Sequence, residues 1–144
     1  SKGLGAPVGS LMVGSADAVA EARVRRKRMG GGMRQVGILA AAGAYALDHH
    51  VERLAEDHAH ARLLGEALGL DPGAVDTNIV VVERTDAPAF VAAAAEQGVR
   101  IAAVGPRAVR LVTHLDAGDD DVERAAQLLA AAVSGRTGPV QTRR

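Results

Sequence analysis

Apolar residues are spread unevenly along this chain, and each texture predicts a different kind of element. Residues 8–13 (VGSLMV) follow Pro7 and read as a short buried strand. Ser15 then stands where a helix cap belongs. A helix over 16–29 would carry Asp17 in its first turn and Arg25, Arg26, Lys27 and Arg28 in its last, both placements that suit the helix dipole. Gly30, Gly31 and Gly32 stop it and free the backbone for close approach to another group. From 35 to 68 runs one long helical pattern, roughly 50 Å if unbroken. Its first third, VGILAAAGAYAL, is apolar nearly all round and predicts burial. Beyond it the apolar positions narrow to a seam of Leu47, Val51, Leu54, His58, Ala61, Leu64 and Leu68. A helix of that length, buried at one end and amphipathic at the other, reads as a bridge between two packing units.

Asp71-Pro72-Gly73 signals a turn, and a β-α-β-β-α pattern follows it. Strands are expected at 78–83, 99–103 and 108–114. A helix is expected at 86–97, capped by Asp86 and stopped by Gly98, and a closing helix at 119–133. The last stretch, 134–144, reads as a disordered tail. There is no internal repeat.

Composition narrows the function classes. The 17 basic and 17 acidic residues cancel, so no global field points to nucleic acid or to an anionic membrane. Aromatic residues make up 1 % of the chain, Tyr45 and Phe90, which removes the stacking platforms of most single-strand nucleic-acid binders. There is no cysteine, hence no disulfide and no thiolate metal site. The N-terminus lacks the basic and apolar regions of a signal peptide, and the longest apolar run is too short to span a bilayer. A soluble, cytoplasmic protein is the expectation.

Four residues carry candidate chemistry. Lys2 lies in SKGLGAPVGS, where Gly3 and Gly5 leave room for a planar ligand. A lysine at random is a solvated surface residue. One fixed at the lip of a sheet is partly desolvated, which favours its neutral amine, a nucleophile toward aldehydes. The basic run RVRRKR (23–28) is first of all a solvated helix end. Alternatively, Lys27 and Arg34 flank the triple glycine, and two cations with free N–H groups suit a phosphate. In AVRLVTHLD the strand period sets Val109, Leu111 and Thr113 on one face and Arg110, Val112 and His114 on the other. A buried Arg110 needs an anion, either a ligand carboxylate gripped by its fork or a structural partner such as Asp116. The histidines say less. His58 with His60, or His49 with His50, makes a poor metal pair. His58 reads as a packing residue, and His114 lies about 13 Å along the strand from Arg110. No metal-ligand spacing and no Ser/His/Asp arrangement stands out.

Taken together, SKGLGAPVGS, RKRMGGGMRQVGILAAAGAYAL, RLAEDHAHA and VRLVTHLD, in this order and at these separations, resemble the C-terminal part of the L-threonine aldolases of the β-eliminating-lyase group. The resemblance runs to about residue 133. It implies an α/β, aspartate-aminotransferase-like fold (PLP fold type I) and the cofactor pyridoxal 5'-phosphate. It also implies a homo-oligomer, a dimer or a tetramer, with shared active sites. Residue by residue, Lys2 matches the family's Schiff-base lysine and Arg110 the arginine that takes the substrate α-carboxylate. Lys27 and Arg34 match basic residues near the cofactor phosphate, which in the family reach across from a neighbouring subunit.

On that resemblance, 1–35 is the end of the large cofactor-binding domain, 36–70 a long interdomain helix and 71–133 a small domain. The upstream coenzyme domain, with the aspartate at the pyridine nitrogen and the histidine stacked on the ring, is not in these residues. The chain by itself is therefore expected to be inactive. The implied reaction is retro-aldol cleavage of L-threonine and related β-hydroxy-α-amino acids to glycine and an aldehyde. Two other readings stand beside it. One is another fold-type-I enzyme, a β-eliminating lyase or an aminotransferase, against which GGGMRQ together with RLVTHLD argues. The other is a non-catalytic oligomerisation fragment.

Overall fold

The computed structural model describes the backbone of residues 2–134 and the side chains of residues 3–133. It divides into two units, Ser1–Val51 and Glu52–Arg144.

In the first unit a single 3-10 turn, Lys2–Leu4, precedes an extended stretch and then helix α1 (Ala16–Arg28). The Ser15 side chain accepts from the Ala18 N–H, the expected cap. At the other end Gly30 adopts φ +78°, Gly31 N–H donates to Arg26 O and Gly30 N–H to Lys27 O. That pair of bonds is a Schellman cap, which satisfies carbonyls the helix leaves open. Helix α2 (Gly37–His49) follows.

Three expectations fail here. Residues 8–13 form no strand: Val8, Leu11, Met12 and Val13 are exposed, and no described segment offers them a ladder. The apolar start of the long helix is not buried either. Within α2 only Ala46 is buried, whereas Ile38 is 79 % exposed. The helix itself is not continuous. It stops at His49, turns through 50–53 and restarts as α3 (Leu54–Ala67). The turn falls on His50, Val51, Glu52 and Arg53, of which the first two come from the weak end of the helix-propensity range. There the Ala55 and Glu56 N–H groups bond three residues back, to Glu52 O and Arg53 O.

The second unit follows the expected β-α-β-β-α order. It comprises α3, a Pro72–Ala74 turn capped by Asp71, β1 (Ile79–Glu83), α4 (Ala87–Glu96), β2 (Ala102–Ala103), β3 (Ala108–Val112) and α5 (Asp119–Ser134). The strands form one antiparallel sheet in the order β1-β3-β2, with Val81 opposite Arg110 and Arg110 opposite Ala102. β2 is shorter than expected, because Gly98 turns at φ +85° and Val99 N–H returns to Ala94 O of α4. Residues 135–144, most of the stretch expected to be a disordered tail, lie outside the described residues.

Period-two burial writes the sheet's two faces. Val80, Val82, Val109 and Leu111 join Leu64 and Leu68 of α3, Phe90 of α4 and Val122 and Leu129 of α5 in a single core. All three helices therefore cover one face, and the other face, with Ile79, Val81 and Val112, stays exposed. Only the C-terminal end of the predicted seam, Ala61, Leu64 and Leu68, reaches this core. Polar contacts pin α3 in place. The Thr113 hydroxyl donates to Asp57 O at 2.6 Å, and His60 Nε2 lies 2.7 Å from Asp119 Oδ1 at the start of α5. The Asp57 carboxylate is fully buried and receives both Nη atoms of Arg53, at 2.5 and 3.2 Å.

Candidate functional site

Strand β3 presents Arg110 exactly out of phase with its buried neighbours. Val109 and Leu111 point into the core, and Arg110 stands on the open face between Val81 of β1 and Ala102 of β2. It is exposed, not buried as expected, because no helix covers this side of the sheet. Among the described residues it has no ion pair or hydrogen bond. Asp116, the structural partner considered for it, instead lies 3.6 Å from His114. A guanidinium framed by aliphatic side chains, with all its donors free, is suited to a planar carboxylate held by two parallel N–H bonds.

The triglycine loop has a second concentration of cations. A methyl group added at Gly32 would stand 3.0 Å from Lys27 Nζ, and one at Gly31 would stand 2.8 Å from Arg26 Cγ and 3.1 Å from Arg26 O. The glycines thus let the Lys27 chain fold over the loop. Arg34, two residues on, is exposed. Two of the three glycine N–H groups are taken by the helix cap, so the loop has fewer free donors for an anion than its composition promised. Its cations remain, and a phosphate fits that donor set.

Lys2 opens the 3-10 turn Lys2–Leu4, and Gly5 directly after it adopts φ +69°, a conformation that favours glycine. The Lys2 side chain lies outside the described atoms. Lys2, Lys27 and Arg34 belong to the first unit and Arg110 to the second.

Two arrangements escaped sequence reasoning. His50 Nδ1 lies 2.7 Å from Leu4 O, a contact spanning 46 residues that no local pattern announces. Arg84 stacks 4.9 Å above the Phe90 ring and donates to Glu83 O at 2.8 Å and to Leu68 O at 3.4 Å, at the end of α3. Burial lowers its pKa below the usual arginine value, and its buried Nε has no hydrogen-bond partner among the described residues. These contacts place Arg84 in the core's rim, where it meets a helix C-terminus. No group of three or more potential metal ligands gathers among the described residues, and no described helix is long and apolar enough to cross a membrane.

The family model for β-eliminating lyases matches residues 1–95, and the chain belongs to that family, a group of pyridoxal-phosphate enzymes of fold type I. Among curated proteins it is similar to low-specificity L-threonine aldolases. It is 42 % identical over 134 residues to the probable low-specificity L-threonine aldolase 2 of Arabidopsis thaliana, covering 85 % of this chain and 38 % of that protein. It is 47 % identical over 119 residues to the low specificity L-threonine aldolase of Escherichia coli K12, covering 81 % and 36 %. A third, the probable low-specificity L-threonine aldolase of Schizosaccharomyces pombe, is 37 % identical over 127 residues, covering 85 % and 32 %. The chain thus spans about a third of the length of these relatives.

Proposed function

We propose that this chain is part of a pyridoxal-phosphate-dependent lyase that cleaves L-threonine and related β-hydroxy-α-amino acids to glycine and an aldehyde. The observation that carries the reading is Arg110, unpaired on the open sheet face and framed by Val81 and Ala102. There it takes the substrate α-carboxylate through its planar fork. Lys2 holds the cofactor covalently, and Lys27 and Arg34 neutralise a cofactor phosphate, that of a neighbouring subunit in a homo-oligomer. When bound, the cofactor supplies an electron sink for the carbanion left at Cα.

The reaction balances without an oxidant or a co-substrate. The β-hydroxyl loses its proton to a base, and the Cα–Cβ bond breaks with its electron pair left on Cα. The β-carbon leaves as an aldehyde, and Cα takes up a proton to give glycine. Arg110 contributes orientation, because a fixed carboxylate restricts which Cα bond is aligned for cleavage. Support for this substrate class comes from the names of the relatives and from their identity across more than four-fifths of the chain.

In this reading residues 1–35 are the end of a large domain, residues 71–133 are the small domain, and residues 36–70 connect them. Exposed apolar residues of the first unit, such as Leu11, Met12, Val13 and Ile38, are covered by the remainder of the enzyme and by a second subunit. The test is product analysis of the full-length protein with L-threonine. Glycine and acetaldehyde in equal amounts are expected, with loss of both in Lys2→Ala. Formation of 2-oxobutyrate would identify an eliminating enzyme instead, and no turnover with cofactor bound would discard the lyase assignment.

A further inference from the structure

The turn that carries Lys2 is short. It is three residues long, Gly5 follows at positive φ, and residues 7–15 beyond it are exposed. Among the described residues, the contact from His50 to Leu4 O is the one hydrogen bond that joins residues 3–6 to a distant part of the chain. The ring that makes it is well placed. The His50 N–H donates to Ala46 O at 2.9 Å, and the Tyr45 ring meets the imidazole edge-on at 5.6 Å and 86°. A carbonyl can only accept, so Nδ1 carries the proton, and the bond fixes the tautomer as well as the ring.

We infer that His50 is a positioning residue for Lys2: its Nδ1–H holds the Leu4 carbonyl and so sets the turn from which the lysine reaches the cofactor. The inference rests on the reading of Lys2 as the cofactor-holding residue. It gives a role to the histidine that follows α2, whose ring also meets Tyr45 of that helix. A displacement of the order of 1 Å at a reacting group costs up to about a hundredfold in rate, so one hydrogen bond at the base of a three-residue turn has leverage.

The test uses the full-length protein, stripped of cofactor and then mixed with pyridoxal phosphate. Capture on Lys2 is followed in time by borohydride reduction and peptide mass spectrometry. His50→Ala is expected to slow capture by about tenfold or more. His50→Asn places an amide N–H near the position of Nδ1–H and is expected to restore most of the rate. His50→Gln, whose amide lies nearer the Nε2 position, is not. His49→Ala, which removes the neighbouring ring tilted against Tyr45 at 4.1 Å, serves as the control and should match wild type. A purely structural role would affect Asn and Gln alike and would follow the melting temperature. Wild-type capture in His50→Ala, or equal rates in the Asn and Gln variants, overturns the inference while the Lys2 assignment stands. Wild-type protein that traps cofactor on another lysine, or on none, overturns both.

Discussion

The two units of this chain are similarly rich in apolar residues, yet they use them differently. In the second, valines from β1 and β3 and leucines from α3 and α5 close into one core. In the first, Leu11, Val13 and Ile38 are exposed, and Ala46 is the one buried residue of α2. The difference is one of closure, not of hydrophobicity. The second unit contains both a sheet and the helices that cover it. The first contains helices without the surface they would cover, and apolar exposure on this scale marks a contact surface. The second unit is thus stabilised by its own residues, whereas the first leaves most of its apolar residues exposed.

That contrast can be broken most directly by one pair of substitutions. Leu129→Ala empties a site that is 1 % exposed and should cost the chain about 2–5 kcal/mol. Leu11→Ala removes the same atoms from a site 81 % exposed and should stay within about 0.5 kcal/mol. Urea unfolding of the 144-residue chain measures both, and equal costs would mean that the first unit has a core of its own. Next in size is Arg53→Met, which leaves the fully buried Asp57 carboxylate without its ion pair, at a cost of about 3 kcal/mol. A neutral result in the same unfolding experiment would show that the start of α3 is not held by this pair.

How much of this was legible in sequence follows the same division. The β-α-β-β-α order, the caps at Ser15 and Asp86, the turn at 71–73 and the two faces of 108–114 were readable because each is decided within a few residues. Burial of 8–13 and of VGILAAAGAYAL was not, because hydrophobicity says that a surface wants covering and not what covers it. The break at 50–53 was hidden by a heptad-like seam, Leu47, Val51 and Leu54, that continues straight through it. Arg110 shows both sides. Its face was read correctly from the period of two, and its burial was misjudged because the pattern does not say which face of a sheet receives helices. His50 was missed altogether, since its partner is 46 residues away.

Smaller effects sharpen the contrast. Thr113→Val keeps the shape of a buried side chain and removes its hydroxyl bond to α3, and should cost the second unit about 1–2 kcal/mol in thermal unfolding. Ser15→Ala removes the cap of α1, about 1 kcal/mol of local helix stability. No residue of α1 is buried, so that loss should appear as faster amide exchange within 16–28 and leave the main unfolding transition unmoved. A shift of the main transition would show α1 to be part of the cooperative core.

The smallest effect on folding is expected at Arg110, and there the smallness is itself diagnostic. An exposed arginine with no ion pair or hydrogen bond among the described residues has little to lose, so Arg110→Met should change unfolding by no more than about 0.5 kcal/mol. Methionine continues the aliphatic surface of Val81 and Ala102 and extends the open apolar face. In the full-length enzyme the same substitution removes two charge-assisted bonds to a carboxylate, and kcat/KM should fall by about ten- to a hundredfold. Arg110→Lys keeps the charge without the fork and should recover only part of that loss. Cofactor capture on Lys2 should be unaffected by either variant. A residue that is indifferent to folding and decisive for substrate is a ligand-binding residue. If Arg110→Met destabilised the chain by more than about 1 kcal/mol, the guanidinium would have a partner within the protein, and the carboxylate role would pass to another cation.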